Sequence, residues 1–322
     1  MQILQLLSDG TIHSGERLGE ALGITSAAVW KQIAALRKKG LEIEVVPGKG
    51  YRLMQGVEAW DRDRLLAGMD PEVRSLLALV VTEGVTTSTN DVVAGLMRSH
   101  PPGAVVCIAE EQTAGRGRRG REWFSPWGRN FYGTIGWIFP EGIGALEGLS
   151  LAIGVAVIRA LGRYGVTGAG LKWPNDLVAG GAKLGGILIE VQAEAGGPCQ
   201  AIIGLGLNLS LPPDASSLLG RAVTDVASLS GRAVERNRLG SLIIEEILRL
   251  LSDYPARRFA AVREEWLAQD VLRDAPVVVS GLTESLEGIA RGVDEQGALL
   301  LQTSQGLLLR VQAGEISLRE AE

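Results

Sequence analysis

Two stretches of this 322-residue chain carry the residue types that do chemistry on anions. The first, Glu110 to Asn130, reads EEQTAGRGRRGREWFSPWGRN and interleaves arginine with glycine, with Gln112, Trp123, Phe124 and Trp127 alongside. Arginine presents a planar, permanently charged fork that matches phosphate and carboxylate geometry. Glycine makes a backbone permissive and entropically costly to order. Together they describe a loop that orders around an anionic ligand, with aromatic faces nearby. The second, Leu171 to Val191, reads LKWPNDLVAGGAKLGGILIEV. Pro174-Asn175-Asp176 is a turn signal. Leu184 to Val191 reads as a buried strand broken by Gly185-Gly186, a pattern that marks a bulge or a close approach of ligand to backbone. Lys183 stands at the head of that strand, a lone cation where packing calls for none. Each feature alone has a plainer reading: a solvated basic loop, a turn, a strand-end lysine. Their combination points to a site.

Five motifs follow one another along the chain: Ser88-Thr89-Asn90, Gln112-Thr113-Ala114-Gly115-Arg116-Gly117-Arg118, Lys172-Trp173-Pro174-Asn175-Asp176, Lys183-Leu184-Gly185-Gly186-Ile187-Leu188 and Gly204-Leu205-Gly206-Leu207-Asn208. In this order and spacing the chain resembles the biotin protein ligase family. It looks like the bacterial bifunctional form, which doubles as the biotin operon repressor, and the resemblance covers essentially the whole length.

The resemblance implies that biotin and ATP, with magnesium, give biotinyl-5′-AMP and pyrophosphate, and that biotin then passes to a lysine on the carrier domain of a carboxylase. Joining a carboxylate to the phosphate of a tetra-anion sets like charges together. Two unit charges at about 4 Å repel by about 4 kcal/mol at an effective dielectric near 20. Cations placed in advance are therefore the main requirement. No protein nucleophile is needed, and the G-x-x-x-x-G-K-[ST] phosphate loop does not occur.

Residue by residue, the resemblance implies Lys183, Arg118 and Asp176 as the catalytic set. Lys183 would sit between the biotin carboxylate and the α-phosphate. Asp176 is the candidate base for the carrier lysine, whose free pKa is about 10.4. Ser88, Thr89, Asn90, Gln112, Gly115, Arg116, Gly117, Arg118 and Lys183 would surround biotin. Arg118, Arg119, Arg121, Trp123, Asn175 and Asn208 would meet the nucleotide, with Asp176 and Asn208 the candidates for magnesium. Trp123 has two open roles, a cover for a ligand ring or a latch for the folded loop. Leu218, Leu219 and Val223 lie in a segment expected to order over the nucleotide.

The elements that must position these residues divide the chain into units at 1–57, 58–74, 75–270 and 271–322. In the first, Ser14 caps a helix from Glu16 to Leu22 that stops at Gly23. Thr25 or Ser26 caps the next, whose Val29, Ile33 and Leu36 recur on one face. A hairpin with Pro47-Gly48-Lys49-Gly50 at its tip makes this a winged helix-turn-helix. Thr25 to Arg52 holds six basic residues (31, 37, 38, 39, 49 and 52) against two acids (42 and 44), a local +4 in a chain of net charge −5. DNA binding must come from such a patch, since the chain as a whole is acidic. Ser26, Ala27, Lys31 and Gln32 would read base edges while Lys49 and Arg52 reach phosphate. Ser26 stands where the family often has arginine, which leaves the operator sequence open.

A helical connector over 58–74 precedes an α/β unit, which the resemblance makes a mixed sheet like that of class II aminoacyl-tRNA synthetases. Short strands from Val277 onward resemble a small SH3-like barrel, so the fold class is multidomain α+β. Two cysteines without paired spacing suit a reducing cytoplasm. No apolar run approaches the ~18 residues of a membrane span. With both units in one chain, biotinyl-AMP is expected as intermediate and corepressor, favouring a homodimer on operator DNA. A ligand-sensing repressor without ligase activity and a lipoate or octanoate ligase are the competing readings.

Overall fold

The fold was obtained as a computed structural model, which describes residues 2–38, 41–54, 57–99, 103–193, 197–281, 285–312 and 317–320. The first unit holds α1 (Gln2–Leu7), α2 (Gly15–Leu22), α3 (Ser26–Lys38), β1 (Ile43–Val46) and β2 (Gly50–Leu53). Ser14 accepts from the Arg17 N–H and Gly23 ends α2 in the left-handed region, as the cap signals require. Thr25 Oγ1 accepts from the Ala28 N–H at 3.2 Å, so Thr25 rather than Ser26 caps α3. Val29, Ile33 and Leu36 are buried. β1 and β2 pair antiparallel around a tip with Gly48 at φ 71°.

The connector begins without regular secondary structure and then forms α4 (Arg62–Ala67) and α5 (Pro71–Arg74), capped by Asp61 and Asp70. The catalytic sheet has seven strands: β3 (Leu77–Glu83), β4 (Ala104–Ala109), β5 (Asn130–Phe139), β6 (Gly170–Lys172), β7 (Asp176–Ala179), β8 (Ala182–Ala193) and β9 (Cys199–Asn208). Their order is β3-β4-β5-β9-β8-β7-β6. Only the β3–β4 pair is parallel, which makes the sheet mixed.

The two faces are covered differently. α7 (Leu149–Tyr164) and the long α10 (Arg236–Arg257) pack on one face, over Val106, Ile108, Ile203 and Leu205. α6 (Thr89–Met97) packs on the other, with Val93 and Met97 against Val105, Cys107 and Ile202. Because strand side chains alternate, one strand serves both layers. β9 turns Ile203, Leu205 and Leu207 to the main core and leaves Gly204 and Gly206 on the α6 face. The site lies on that second face.

Between β9 and α10 run α8 (Ala215–Leu219) and α9 (Val226–Ser230), and α11 (Arg263–Gln269) leads into the last unit. There β10 (Pro276–Ser280), β11 (Ser285–Val293), β12 (Leu299–Gln302), β13 (Leu308–Val311) and β14 (Ser317–Glu320) form an antiparallel sheet ordered β13-β12-β11-β10-β14. Its Val277, Val293 and Leu299 join the main core. Lys39, counted in the basic patch, lies outside the described residues. Among the described residues, no helix is long and apolar enough to cross a membrane.

Candidate active site

Glycines build the floor of the site. A Cβ on Gly206 would lie 2.4 Å from Trp123 Cε2, and one on Gly204 would lie 2.5 Å from Asn90 Oδ1. Both clash, so the trough exists only because alternate residues of β9 lack side chains. Gly186 on β8 continues it. The Gly185-Gly186 pair does mark a bulge: Leu177 pairs with Gly185 and Val178 with Lys183, so Leu184 is the extra residue.

The Arg/Gly segment folds back over this trough. Gly117 N–H donates to Arg121 O (2.7 Å) and Trp123 N–H to Gly115 O (2.9 Å). Arg119 takes the left-handed conformation at φ 61°, followed by Gly120 at φ 69°. Trp123 lies along the glycine floor, and its Nε1 is buried with no hydrogen-bond partner. Trp127, expected near the ligand as well, instead joins the core of the helix-turn-helix unit.

A cavity of about 240 Å³ remains between loop and sheet. It brings together Ser88, Thr89, Asn90, Gln112, Arg116, Gly117, Arg118, Arg119, Arg121, Trp123, Asn175, Asp176 and Lys183, residues drawn from across a hundred positions of sequence. Two expected residues stand behind its wall. Gly115 packs against Ser125, Gln112 and Trp123. Asn208 is 5% exposed and donates through Nδ2 to Thr224 O (3.0 Å) and Lys183 O (3.3 Å), so it holds the main chain at Lys183.

One end is polar and densely hydrogen-bonded. Ser88 starts α6 without using its hydroxyl as a cap. Thr89 donates to Gln112 Oε1 from its N–H (2.9 Å) and its hydroxyl (3.1 Å). The Thr134 hydroxyl lies 2.7 Å from both Thr89 Oγ1 and Asn90 Oδ1, while Asn90 Nδ2 donates to Glu190 (2.9 Å). Arg116 grips Asp91 with two bonds (2.7 and 3.0 Å) and reaches Glu190 at 3.3 Å, which pins the loop to α6 and β8. Its guanidinium is held even more firmly protonated by Asp91.

The other end is cationic. Lys183 Nζ donates to Asp176 Oδ1 at 2.6 Å and lies 5.6 Å from the Trp123 ring centroid. Burial lowers its pKa below the ordinary lysine value, and the Asp176 carboxylate opposes that shift. Arg118 is also lowered by burial and donates to Asn175 Oδ1 (3.1 Å), whose Nδ2 donates to Ile187 O. The preceding Trp173 donates to Gly297 O of the last unit (3.1 Å), so the Pro174-Asn175-Asp176 turn is braced from outside the catalytic sheet. Seven cations (Arg116, Arg118, Arg119, Arg121, Lys172, Lys183 and Arg221) line the cavity against Glu122 and Asp176. Sequence reading missed Arg221, which no motif carries.

On the DNA-binding unit Ser26, Ala27, Lys31, Gln32 and Lys49 are exposed. Arg52 is half-buried in a cross-strand pair with Glu44 (2.6 Å). Trp30, outside the inward apolar set, is 61% exposed on α3 and was not singled out by its sequence position.

Models of known families match the chain in three places: an HTH domain over residues 1–52, the biotin/lipoate A/B protein ligase family over 83–208, and a biotin protein ligase C-terminal domain over 276–319. The Bifunctional ligase/repressor BirA of Escherichia coli (strain K12) is 36% identical over 322 residues, covering all of this chain and 98% of that protein. The chain belongs to the bifunctional biotin ligase/repressor family. It is an ATP-dependent biotin protein ligase with a helix-turn-helix unit ahead of its catalytic sheet. The ligase is also 30% identical over 295 residues to the Bacillus subtilis (strain 168) protein of the same name, covering 91% of this chain and 90% of that one. The solved structure of the Aquifex aeolicus biotin protein ligase in complex with biotin and ATP shares its fold. The TM-score is 0.64 at 24% identity, over 75% of this chain and 99% of that one.

Proposed function

We propose that the cavity performs both half-reactions with the residues gathered there, and that the concentration of cations carries this reading. A chain of net charge −5 places seven basic side chains against two acids around one cavity, a field that draws in and stabilises a nucleotide. Ser88, Thr89, Asn90 and Gln112 hold the ureido end of biotin, because Gln112 Oε1 is engaged by Thr89 and its Nε2 remains to donate. Gly115 to Arg118 close over the ring. Lys183 leaves Asp176 to bridge the biotin carboxylate and the α-phosphate, while Arg118, Arg119 and Arg121 meet the phosphates.

Trp123 acts as floor and latch, excluding water from a mixed anhydride that water would hydrolyse. Magnesium, when bound with ATP, neutralises phosphate charge. Asp176 fits an ion held mainly by phosphates with one carboxylate, and the described residues contain no cluster of three or more His, Cys, Asp or Glu for a resident metal. Asn175 and Asn208 position Arg118 and Lys183. In the transfer step Asp176 accepts the proton of the incoming carrier lysine.

The first unit reads operator DNA through Ser26, Ala27, Lys31 and Gln32, with Lys49 on phosphate, while Arg52 holds the wing. The units divide at 57, 74 and 270. Among the described residues, β8 beyond Gly186 pairs with β9 alone, which leaves an open edge over Leu188–Ala193 where Val191 is 40% exposed. Such an edge accepts another strand, and a second copy of the chain is its occupant when biotinyl-AMP is bound. Two buried free cysteines fit a reducing cytoplasm. ATP–pyrophosphate exchange tests the activity: exchange that depends on biotin supports it. Exchange driven by lipoate or octanoate instead, or none from folded protein, removes it. Equal association with and without biotin and ATP in the ultracentrifuge would refute the ligand-linked dimer.

A further inference from the structure

Neither the motifs nor the family resemblance accounts for Arg221. It lines the cavity, yet it comes from the segment after α8, well apart in sequence from the other cations. That segment is tied to the main chain of Lys183. Lys183 N–H donates to Ala222 O (3.0 Å), Thr224 N–H donates to Lys183 O (3.0 Å), and Val223 forms an isolated parallel bridge with Lys183. Asn208 Nδ2 reaches both carbonyls, of Thr224 and Lys183. At the other end Gly220 closes α8 at φ 59°, Arg221 N–H donates to Ser216 O (3.3 Å), and Ser216 Oγ accepts from Val223 N–H (3.2 Å). The backbone of Arg221 is thus anchored on both sides.

Its side chain is not. Among the described residues the Arg221 guanidinium has no hydrogen-bond or ion-pair partner, whereas Arg116 is held by Asp91 and Glu190. Its charge also acts on Lys183, more strongly than that of Arg121 does. The Arg221 charge disfavours that of Lys183, whose acid partner is Asp176, and an anion entering the cavity relieves that repulsion.

We propose that Arg221 is a phosphate-binding residue of the adenylation step, delivered to the nucleotide's phosphate next to Lys183 by the segment that pairs with Lys183. The proposal rests on the ligase reading and names a contact beyond it. Arg221 makes and breaks no bond. Its fork donates to non-bridging phosphate oxygens, whose charge changes as the carboxylate attacks and pyrophosphate leaves.

The test is biotin-dependent ATP–pyrophosphate exchange by the full chain carrying Arg221→Gln or Arg221→Lys. The glutamine variant should raise KM for magnesium-ATP at least fivefold and leave KM for biotin within twofold, and lysine should recover part of the loss. The dependence of KM for ATP on salt should become shallower in the glutamine variant, since one exposed charge contact is gone. A rise below fivefold overturns the proposal. So does a rise that biotin KM shares and lysine does not relieve, which would mark a merely structural part. Absence of biotin-dependent exchange in the unsubstituted chain is a different result: it overturns the ligase reading itself.

Discussion

Lys183 is held between two opposing effects. Burial disfavours its charge, while Asp176 at 2.6 Å supports it. The balance keeps an ammonium ready for a carboxylate and a phosphate but lets it titrate below the ordinary lysine range. Lys183→Ala should therefore lower biotin-dependent exchange by roughly 10²-fold or more, the scale of losing one preorganised donor in a dry site. Circular dichroism and melting should stay close to those of the parent, because Lys183 is not part of the apolar core. Exchange within tenfold of the parent would refute the central part given to it. Trp123 depends on a neighbour without a side chain. Gly206→Ala places a methyl 2.4 Å from the indole, so the ring must leave the trough. The expected result is a rise of about tenfold or more in KM for biotin with a shift in tryptophan emission; an unchanged KM would mean that the ring is not part of the binding floor.

At the scale of elements, the start of the connector is clamped to the catalytic sheet by a buried network. Arg236 on α10 pairs with Glu110 at the end of β4 (2.8 Å), lies 4.3 Å from the Trp60 ring centroid, and donates to Glu58 O (2.6 Å). Glu110 also accepts from the Trp60 N–H (2.7 Å), and Asn237 donates to Ala59 O (2.8 Å). Removing one partner of a buried pair typically costs about 3–5 kcal/mol, because the other charge is left uncompensated. Arg236→Ala should show this as a lower denaturant midpoint, and Glu110→Gln in that background should restore part of the loss. Glu110 is two residues from Gln112, so the same change should weaken biotin binding. The end of α7 (Leu149–Tyr164) is legible in the sequence, since Gly165 stops the helix in the left-handed region. α6 was not, because Ser88-Thr89-Asn90 alone reads equally as a turn.

Across the whole molecule, neighbouring units share surfaces. Trp127 from the catalytic loop sits in the helix-turn-helix core, and Val57 packs beneath Gly128. The Arg/Gly segment and the DNA-binding unit are thereby joined through packed side chains. At the other junction Leu171 bridges to Asp270, whose carboxyl is pushed from the ordinary 3.8 up to about 6 by burial. The folded state therefore binds this proton more tightly than the unfolded state does. Its favourable contribution is complete below pH 3.8 and is lost as pH rises through about 6. At 1.36 kcal/mol per unit the loss is about 3 kcal/mol. Asp270→Asn should raise the melting temperature at pH 8 and leave it nearly unchanged at pH 4; an equal change at both would exclude Asp270 as the titrating group. Longer-range electrostatics should appear as operator affinity that falls with added salt, measured by fluorescence anisotropy.

The chemistry of this protein was written in residue types and local order: arginines among glycines, a lysine before a glycine-broken strand, a capped helix pair with a basic hairpin. Those follow from short-range rules of charge, backbone freedom and periodicity, which a linear chain displays openly. The tertiary structure decided what distance in sequence conceals. It set Gly204 and Gly206 beneath Asn90 and Trp123, turned Asn208 from the cavity to the main chain of Lys183, and committed Arg52 to Glu44. It also carried Arg221 to the cavity on a segment whose neighbours are chosen by strand pairing. Such placements depend on which strands lie side by side and which face each residue takes, and a slip of one position would reverse every face.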